Sequence, residues 1–247
     1  MTNETPRKLV IGWLYGTRMN IYGDRGNIVA LTRRAEWRGI EVEVREIGYG
    51  ASIPDDVDIF FWGGGQDQEQ ADVARDMQGE KAYQLRTAID NGAAMLAICG
   101  GYQLLGRSYR PHAGEELPGV GLFDITSVAG STRFIGNIVV NTERWGALVG
   151  FENHSGLTHL GNGVKPLGRV EIGRGNNGQD GTEGAIYRNA IGCYLHGALL
   201  PKNPRLTDWL IERGLHRRYG DVSLPSLDDA VEQRAHRSAV QRARVAM

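Results

Sequence analysis

Ala93-Ala94-Met95-Leu96-Ala97-Ile98-Cys99-Gly100-Gly101-Tyr102-Gln103 decides how the chain is read. The small and apolar residues through Ile98 make a strand buried on both faces, and Tyr102-Gln103-Leu104-Leu105 resumes at helical spacing. One cysteine and two glycines join them, with no room for a loop. A corner that sharp exposes its central residue, and the backbone doubles back only between small neighbours, here Ala97, Gly100 and Gly101. A thiol at the corner stands at a helix N-terminus, where unpaired N–H groups and the helix dipole favour the nucleophilic thiolate. A cysteine after an apolar run is by default a core residue. The flanking glycines set Cys99 apart from that default.

Upstream, Lys8 to Tyr15 reads as a buried strand and Ile21 to Trp37 as a helix with Asp24 near its start. Ile40 to Ile47 alternates strictly, a half-exposed strand, and Asp58 to Trp62 is a short buried strand ending in Gly63-Gly64-Gly65. Asp67 to Asn91 reads as one long, mostly polar helix closing at Gly92. Continuous apolar strands alternating with helices predict a parallel sheet covered by helices. Downstream, short β-type runs at 122–128, 134–141, 148–152, 168–172, 184–187 and 191–195 are separated by glycine-rich turns and predict a strand-rich second half. Pro204 to Leu215 is a helix with Asn203 as its cap. Leu227 to Val245 also reads as helix, with an apolar side so thin that a solvated tail is the plain expectation.

Composition excludes several classes. A chain of 247 residues, 41% apolar and 23% charged, is long enough for one large core. The 28 basic and 29 acidic side chains give a net charge of -1, so no general attraction to nucleic acid is expected. No apolar run is long enough to span a membrane and the polar start lacks a signal-peptide core, which makes a cytoplasmic protein the expectation. Cys99 and Cys193 are too few for a disulfide framework, and no histidines or cysteines fall at metal-ligand spacing. G-x-x-x-x-G-K-[ST] does not occur. Gly173 to Gly178 spells G-x-G-x-x-G, but Gln179-Asp180-Gly181-Thr182 follows it instead of a helix, so it reads as a hairpin loop. No cofactor is expected.

Two more constellations bear on Cys99. In Gly192-Cys193-Tyr194-Leu195-His196-Gly197, alternation puts Tyr194 and His196 on one face and Cys193 on the other. His196 falls at the strand's end, where it can serve as the base and acid of a Cys–His pair. The glycines at 63–65 follow a buried strand and let backbone N–H groups approach an oxyanion, although an ordinary strand-to-helix turn has the same composition.

Ala97-Ile98-Cys99-Gly100-Gly101-Tyr102-Gln103, the glycine loop and Tyr194-Leu195-His196-Gly197 together resemble class I (triad-type) glutamine amidotransferases. Gly150-Phe151-Glu152-Asn153-His154-Ser155-Gly156 is similar to the G-Y-E-x-H-x-G segment of their cobyrinic and cobyric acid synthase branch. Leu14-Tyr15-Gly16, the run Asn20-Ile21-Tyr22-Gly23-Asp24-Arg25-Gly26-Asn27 and Trp62-Gly63-Gly64-Gly65-Gln66-Asp67 are similar to the glutaminase subunits of lipid II isoglutaminyl synthases. The resemblance implies a flavodoxin-like α/β sheet with a nucleophile elbow, an amidotransferase domain over 8–216 and a helical tail over 217–247. It implies that Cys99 attacks the carboxamide of L-glutamine, that Gly65 and Gly100 supply the oxyanion N–H groups, and that His196 moves the protons. Arg133 corresponds to the arginine that binds the substrate's carboxylate, a task suited to a planar guanidinium. Gln103 and Asn153 are further pocket residues. The implied partner is a Mur-ligase-like, ATP-dependent synthase subunit that uses the released ammonia to convert D-glutamate of lipid II to D-isoglutamine.

Two departures stand out. Ala97 replaces the glycine of the strict elbow pattern, and Ala198 stands where triad enzymes carry a glutamate. The cobyric acid branch also lacks that glutamate, so an acid from the partner subunit is the expected orienting group for His196. A thiol hydrolase on the same sheet, the glutaminase part of a cobyrinic or cobyric acid amidase, and a silent regulatory subunit are the competing readings. Little sequence precedes the first strand, which favours a separate subunit over a fused amidase.

Overall fold

The computed structural model describes residues 6–21 and 23–245; Tyr22 of the 20–27 run, and Ala246 and Met247 of the expected tail, lie outside the described residues. The first half runs β1 (Lys8–Leu14), α1 (Arg25–Glu36), β2 (Glu41–Ile47), β3 (Ile59–Trp62), α2 (Asp67–Asp76), α3 (Gly79–Asp90), β4 (Ala94–Ile98) and α4 (Gly100–Leu104). There follow β5 (Ser108–Arg110), β6 (Leu117–Pro118), β7 (Ile125–Thr142), β8 (Gly146–Leu160), β9 (Gly168–Ile172), β10 (Thr182–Glu183), β11 (Ala185–Tyr187) and β12 (Ala190–Cys193). The chain closes with α5 (Leu199–Lys202), α6 (Pro204–Tyr219) and α7 (Ala230–Val245).

One sheet has the order β11-β12-β4-β3-β1-β2, parallel throughout except for the β11/β12 pair at its edge. Helices α1 and α6 pack on it, and its central strands bury every residue of IFFW and AMLAI, as a sheet covered on both faces requires. β4 is central because it carries no polar side chain, and Cys99 emerges at its carboxyl end beside the glycine loop that ends β3.

The second sheet has the order β10-β9-β7-β5-β6, with β8 paired along β7. Residues 125–128 of the run expected at 122–128, and all of the run at 134–141, belong to one 18-residue strand, β7, while Leu122 to Asp124 precede it. Gly130-Ser131-Thr132-Arg133 has the composition of a turn, yet it is a bulge, across which the β7/β8 register shifts between Ala129 and Phe134. β8 likewise continues through residues 150–156. The 173–178 glycines form the loop of the β9/β10 hairpin, as the missing helix predicts.

Two helical expectations change. The helix expected from residue 21 begins at Arg25, so Ile21, Gly23 and Asp24 stand outside it. The long helix over 67–91 is two helices, broken where Gly79 takes a positive φ of 58°. α7 is not a solvated tail: Val240 and Ala243 are buried against Val139, Val149 and Ile172 of the second sheet. A thin stripe suffices because the patch it covers is small. The two sheets meet where Phe151 of β8 and His196 exchange backbone hydrogen bonds of 3.2 and 2.8 Å. Among the described residues no helix is long and apolar enough to cross a membrane.

Candidate active site

Cys99 has φ 51° and ψ -106°, a region that side-chain-bearing residues rarely occupy. The corner holds because everything around it is tight. A Cβ on Gly100 would meet the Gln70 side chain at 2.4 Å, and one on Gly101 would meet the Trp62 carbonyl at 2.7 Å. Ala97 is accommodated inside the sheet between Trp62 and Gly192, its register neighbours. Cys193 is a core residue, as alternation predicts: it is fully buried, its carbonyl accepts the Cys99 N–H at 2.8 Å, and both thiols are free. Burial pushes the Cys193 thiol well above the ordinary range.

His196 lies behind Cys99, fully buried at the bridge to β8. The acid missing at position 198 has a counterpart in the same chain. Asp24, also fully buried, places Oδ1 3.5 Å from His196 Nδ1. Burial works against charge on this imidazole, but Cys99 and Asp24 outweigh it and hold the ring's pKa well above the ordinary value. Oδ2 of Asp24 accepts the Gly64 N–H at 2.8 Å. One carboxylate therefore faces the imidazole and pins the glycine loop. Sequence reasoning missed this role because Asp24 reads as the acid of a helix's first turn; in the structure its side chain makes no cap.

With the Gly64 N–H taken by Asp24 and the Gly101 N–H by the Gly63 carbonyl, the neighbouring Gly65 and Gly100 N–H groups donate to no other backbone group among the described residues. The two glycines pack closely: the Gly65 nitrogen is 3.1 Å from where a Gly100 Cβ would stand.

A cavity of about 720 Å³ opens onto Cys99, walled by Gly65, Glu69 and Gln103 on one side and by Arg133, Asn153 and His154 on the other. Arg133 rides on the β7 bulge and donates from Nη1 to the Asn153 side-chain oxygen at 2.9 Å. Gln103 is buried, accepts from Gln70 Nε2 at 2.8 Å and donates to the Tyr194 hydroxyl at 3.1 Å. The Tyr194 hydroxyl is 2.7 Å from the Thr158 hydroxyl. The sequence-predicted residues Cys99, His196, Gly65, Gly100, Gln103, Arg133 and Asn153 thus meet at one place, although the first sheet supplies the thiol and imidazole and the second supplies Arg133 and Asn153.

Comparison with known proteins agrees with this architecture. Residues 10–204 match the model of the CobB/CobQ-like glutamine amidotransferase domain. The lipid II isoglutaminyl synthase (glutamine-hydrolyzing) subunit GatD of Staphylococcus aureus strain N315 is 41% identical over 237 residues, covering 96% of each chain. Its namesake from Streptococcus pneumoniae R6 is 41% identical over 236 residues, 92% of this chain and 89% of that one. A probable cobyric acid synthase of Methanothermobacter thermautotrophicus is 35% identical over 149 residues, 55% of this chain but 29% of its own length. Among solved structures, PurLQS from Thermotoga maritima superposes with a TM-score of 0.53 over 86% of this chain and 97% of that one, at 16% identity, a likeness of fold. With the family model spanning most of its length and taking in the Cys99 corner, the 63–65 glycines and His196, this chain belongs to the CobB/CobQ-like glutamine amidotransferases.

Proposed function

We propose that this chain is the glutamine-hydrolysing subunit of a two-subunit lipid II isoglutaminyl synthase. The observation that carries the reading is the burial of His196 between Asp24 and Cys99, beside a cavity that can seat one amino acid. Identity of 41% over nearly the whole chain to two subunits so named supports the substrate and the assembly.

The mechanism follows from these groups. L-glutamine enters with its carboxylate toward Arg133, whose guanidinium is steadied by Asn153. Gln103, bonded on both sides, keeps the cavity floor in place. The Cys99 sulfur attacks the carboxamide carbon, and the oxygen's growing charge is met by the N–H groups of Gly65 and Gly100. As the C–N bond breaks, the imidazolium of His196 gives its proton to the departing nitrogen and ammonia leaves. His196 then takes a proton from water, the hydroxide attacks the thioester, the C–S bond breaks and glutamate is released. The net change is glutamine plus water to glutamate plus ammonia, with Cys99 and His196 restored. Asp24 holds the Nδ1 side of the ring and leaves Nε2 to Cys99.

Ammonia passes to a Mur-ligase-like partner, which spends ATP to activate the α-carboxylate of D-glutamate in lipid II and yields D-isoglutamine, a cytoplasmic step of cell-wall synthesis. We take residues 8–216 as the amidotransferase domain, with α7 (Ala230–Val245) in the segment that follows it. The test is to co-purify the chain with its partner and supply lipid II, ATP and glutamine carrying 15N in the side-chain amide. The label is expected in the D-isoglutamine carboxamide and lost with Cys99→Ala; an unlabelled or unamidated stem peptide refutes the assignment.

A further inference from the structure

His154 lines the active-site cavity, and its Nε2 is an acceptor that no described residue satisfies. Its side chain is 2% exposed, and Nδ1 lies 2.8 Å from the Gly156 carbonyl oxygen. A carbonyl only accepts, so Nδ1 carries the proton and the lone pair is on Nε2. Nε2 is buried and meets no hydrogen-bond donor among the described residues. The ring is held in this orientation, stacked on Tyr194 at a centroid distance of 3.6 Å and an angle of 5°, with the Phe134 edge against it at 5.4 Å. Turning it over would forfeit the bond to Gly156. Burial, followed by the nearby charges of His196 and Arg133, keeps the ring neutral by lowering its pKa to about 3. The neutral ring thus keeps an unprotonated Nε2 within a residue that lines the cavity.

We propose that His154 is the residue that recognises the primary amide: its Nε2 accepts an N–H from the carboxamide of bound glutamine, and so separates glutamine from glutamate and from γ-esters. The proposal rests on the glutaminase reading of the site. Of the polar groups in glutamine, the carboxylate faces Arg133 and the amide oxygen faces Gly65 and Gly100, which leaves the amide nitrogen as the donor beside the reacting carbon. An ester or carboxylate brings only oxygen lone pairs to that position, which repel Nε2 and leave it unsatisfied. The same contact helps the product leave, because hydrolysis replaces the donor NH2 by an acceptor oxygen.

The experiment uses the full chain with its co-purified partner and two substitutions. His154→Phe keeps the stack on Tyr194 and removes the acceptor; His154→Gln keeps an acceptor oxygen. For each, kcat/KM is measured with L-glutamine and with L-glutamate γ-methyl ester, together with the inhibition constant of L-glutamate. His154→Phe is expected to lower kcat/KM for glutamine about 10- to 100-fold while changing the ester less than threefold, to tighten glutamate inhibition relative to KM, and to be partly rescued by His154→Gln. An equal loss on amide and ester would show that His154 only supports the wall, and overturns the proposal. If the unsubstituted protein hydrolyses neither compound, the glutaminase reading itself fails and the proposal falls with it.

Discussion

Asp24→Asn alters the site without altering its shape. The asparagine oxygen can still accept the Gly64 N–H, as Asp24 Oδ2 does at 2.8 Å, so the glycine loop keeps its pin. What disappears is the negative charge 3.5 Å from His196 Nδ1, and what arrives in its place is an NH2 donor. Unit charges at that distance, in an effective dielectric of ~20, attract by roughly 4–5 kcal/mol. Because 3.5 Å exceeds the length of a strong charge-assisted bond and the carboxylate also serves Gly64, about half of that is assigned to orienting the ring, ~2–3 kcal/mol. The asparagine also forces Nδ1 to accept, which puts the proton on Nε2 and spoils the base. The expected result is a kcat for glutamine about 100-fold lower with KM changed less than threefold, since Arg133 and Asn153 sit on the other sheet. Glutamate formation at saturating glutamine is followed from pH 6 to 9, with thermal unfolding as the folding control. A variant within threefold of the parent across that range would reduce Asp24 to a bracket for the loop.

Three further outcomes are expected. Burial raises the Glu183 carboxyl pKa to about 8 in the folded chain, above an unfolded value near 4.5, so its contribution is fully present below pH 4.5 and lost as pH rises through about 8. Glu183→Gln should therefore gain on the parent in thermal unfolding between pH 6 and 9, and a gap that stays constant with pH contradicts this. In Gly192→Ala the new methyl would stand 2.1 Å from the Tyr102 ring and 2.9 Å from Phe123, both buried, for a loss of about 1–3 kcal/mol; an unchanged denaturant midpoint would show that those rings can yield. A diazoketone analogue of glutamine should add one label per native chain, on Cys99, because the Cys193 thiol is fully buried and held protonated. Peptide mass mapping that finds label on Cys193 would contradict the geometry.

The elbow was legible because its chemistry and its geometry make the same demand: a strand buried on both faces must be apolar, and a reversal at its end must have small neighbours. His196 was legible for a similar reason, since alternation past the buried Cys193 settles which side chains share a face. Other features hang on contacts between distant segments. Asp24 sits in a loop without periodicity, and nothing local says that a residue far down the chain will be its partner. The bulge carrying Arg133 has a turn's composition, and only the continued pairing of β8 on both sides distinguishes the two. The break between α2 and α3 turns on one backbone angle at Gly79 within an otherwise helical pattern. α7 looked too polar to dock because the area it must cover belongs to the second sheet and cannot be sized from the helix alone.

The backbone at Cys99 leaves a lasting mark on how this molecule can change. A residue with a side chain at φ 51°, ψ -106° carries a conformational cost of about 1–3 kcal/mol that glycine would escape. The inert chain with glycine at 99 is thus set to melt at a higher temperature than the working one, whereas alanine there sacrifices the sulfur without that relief. Robustness and activity pull in opposite directions at this single position, so selection for hardiness alone would drift toward a sturdier protein with no chemistry.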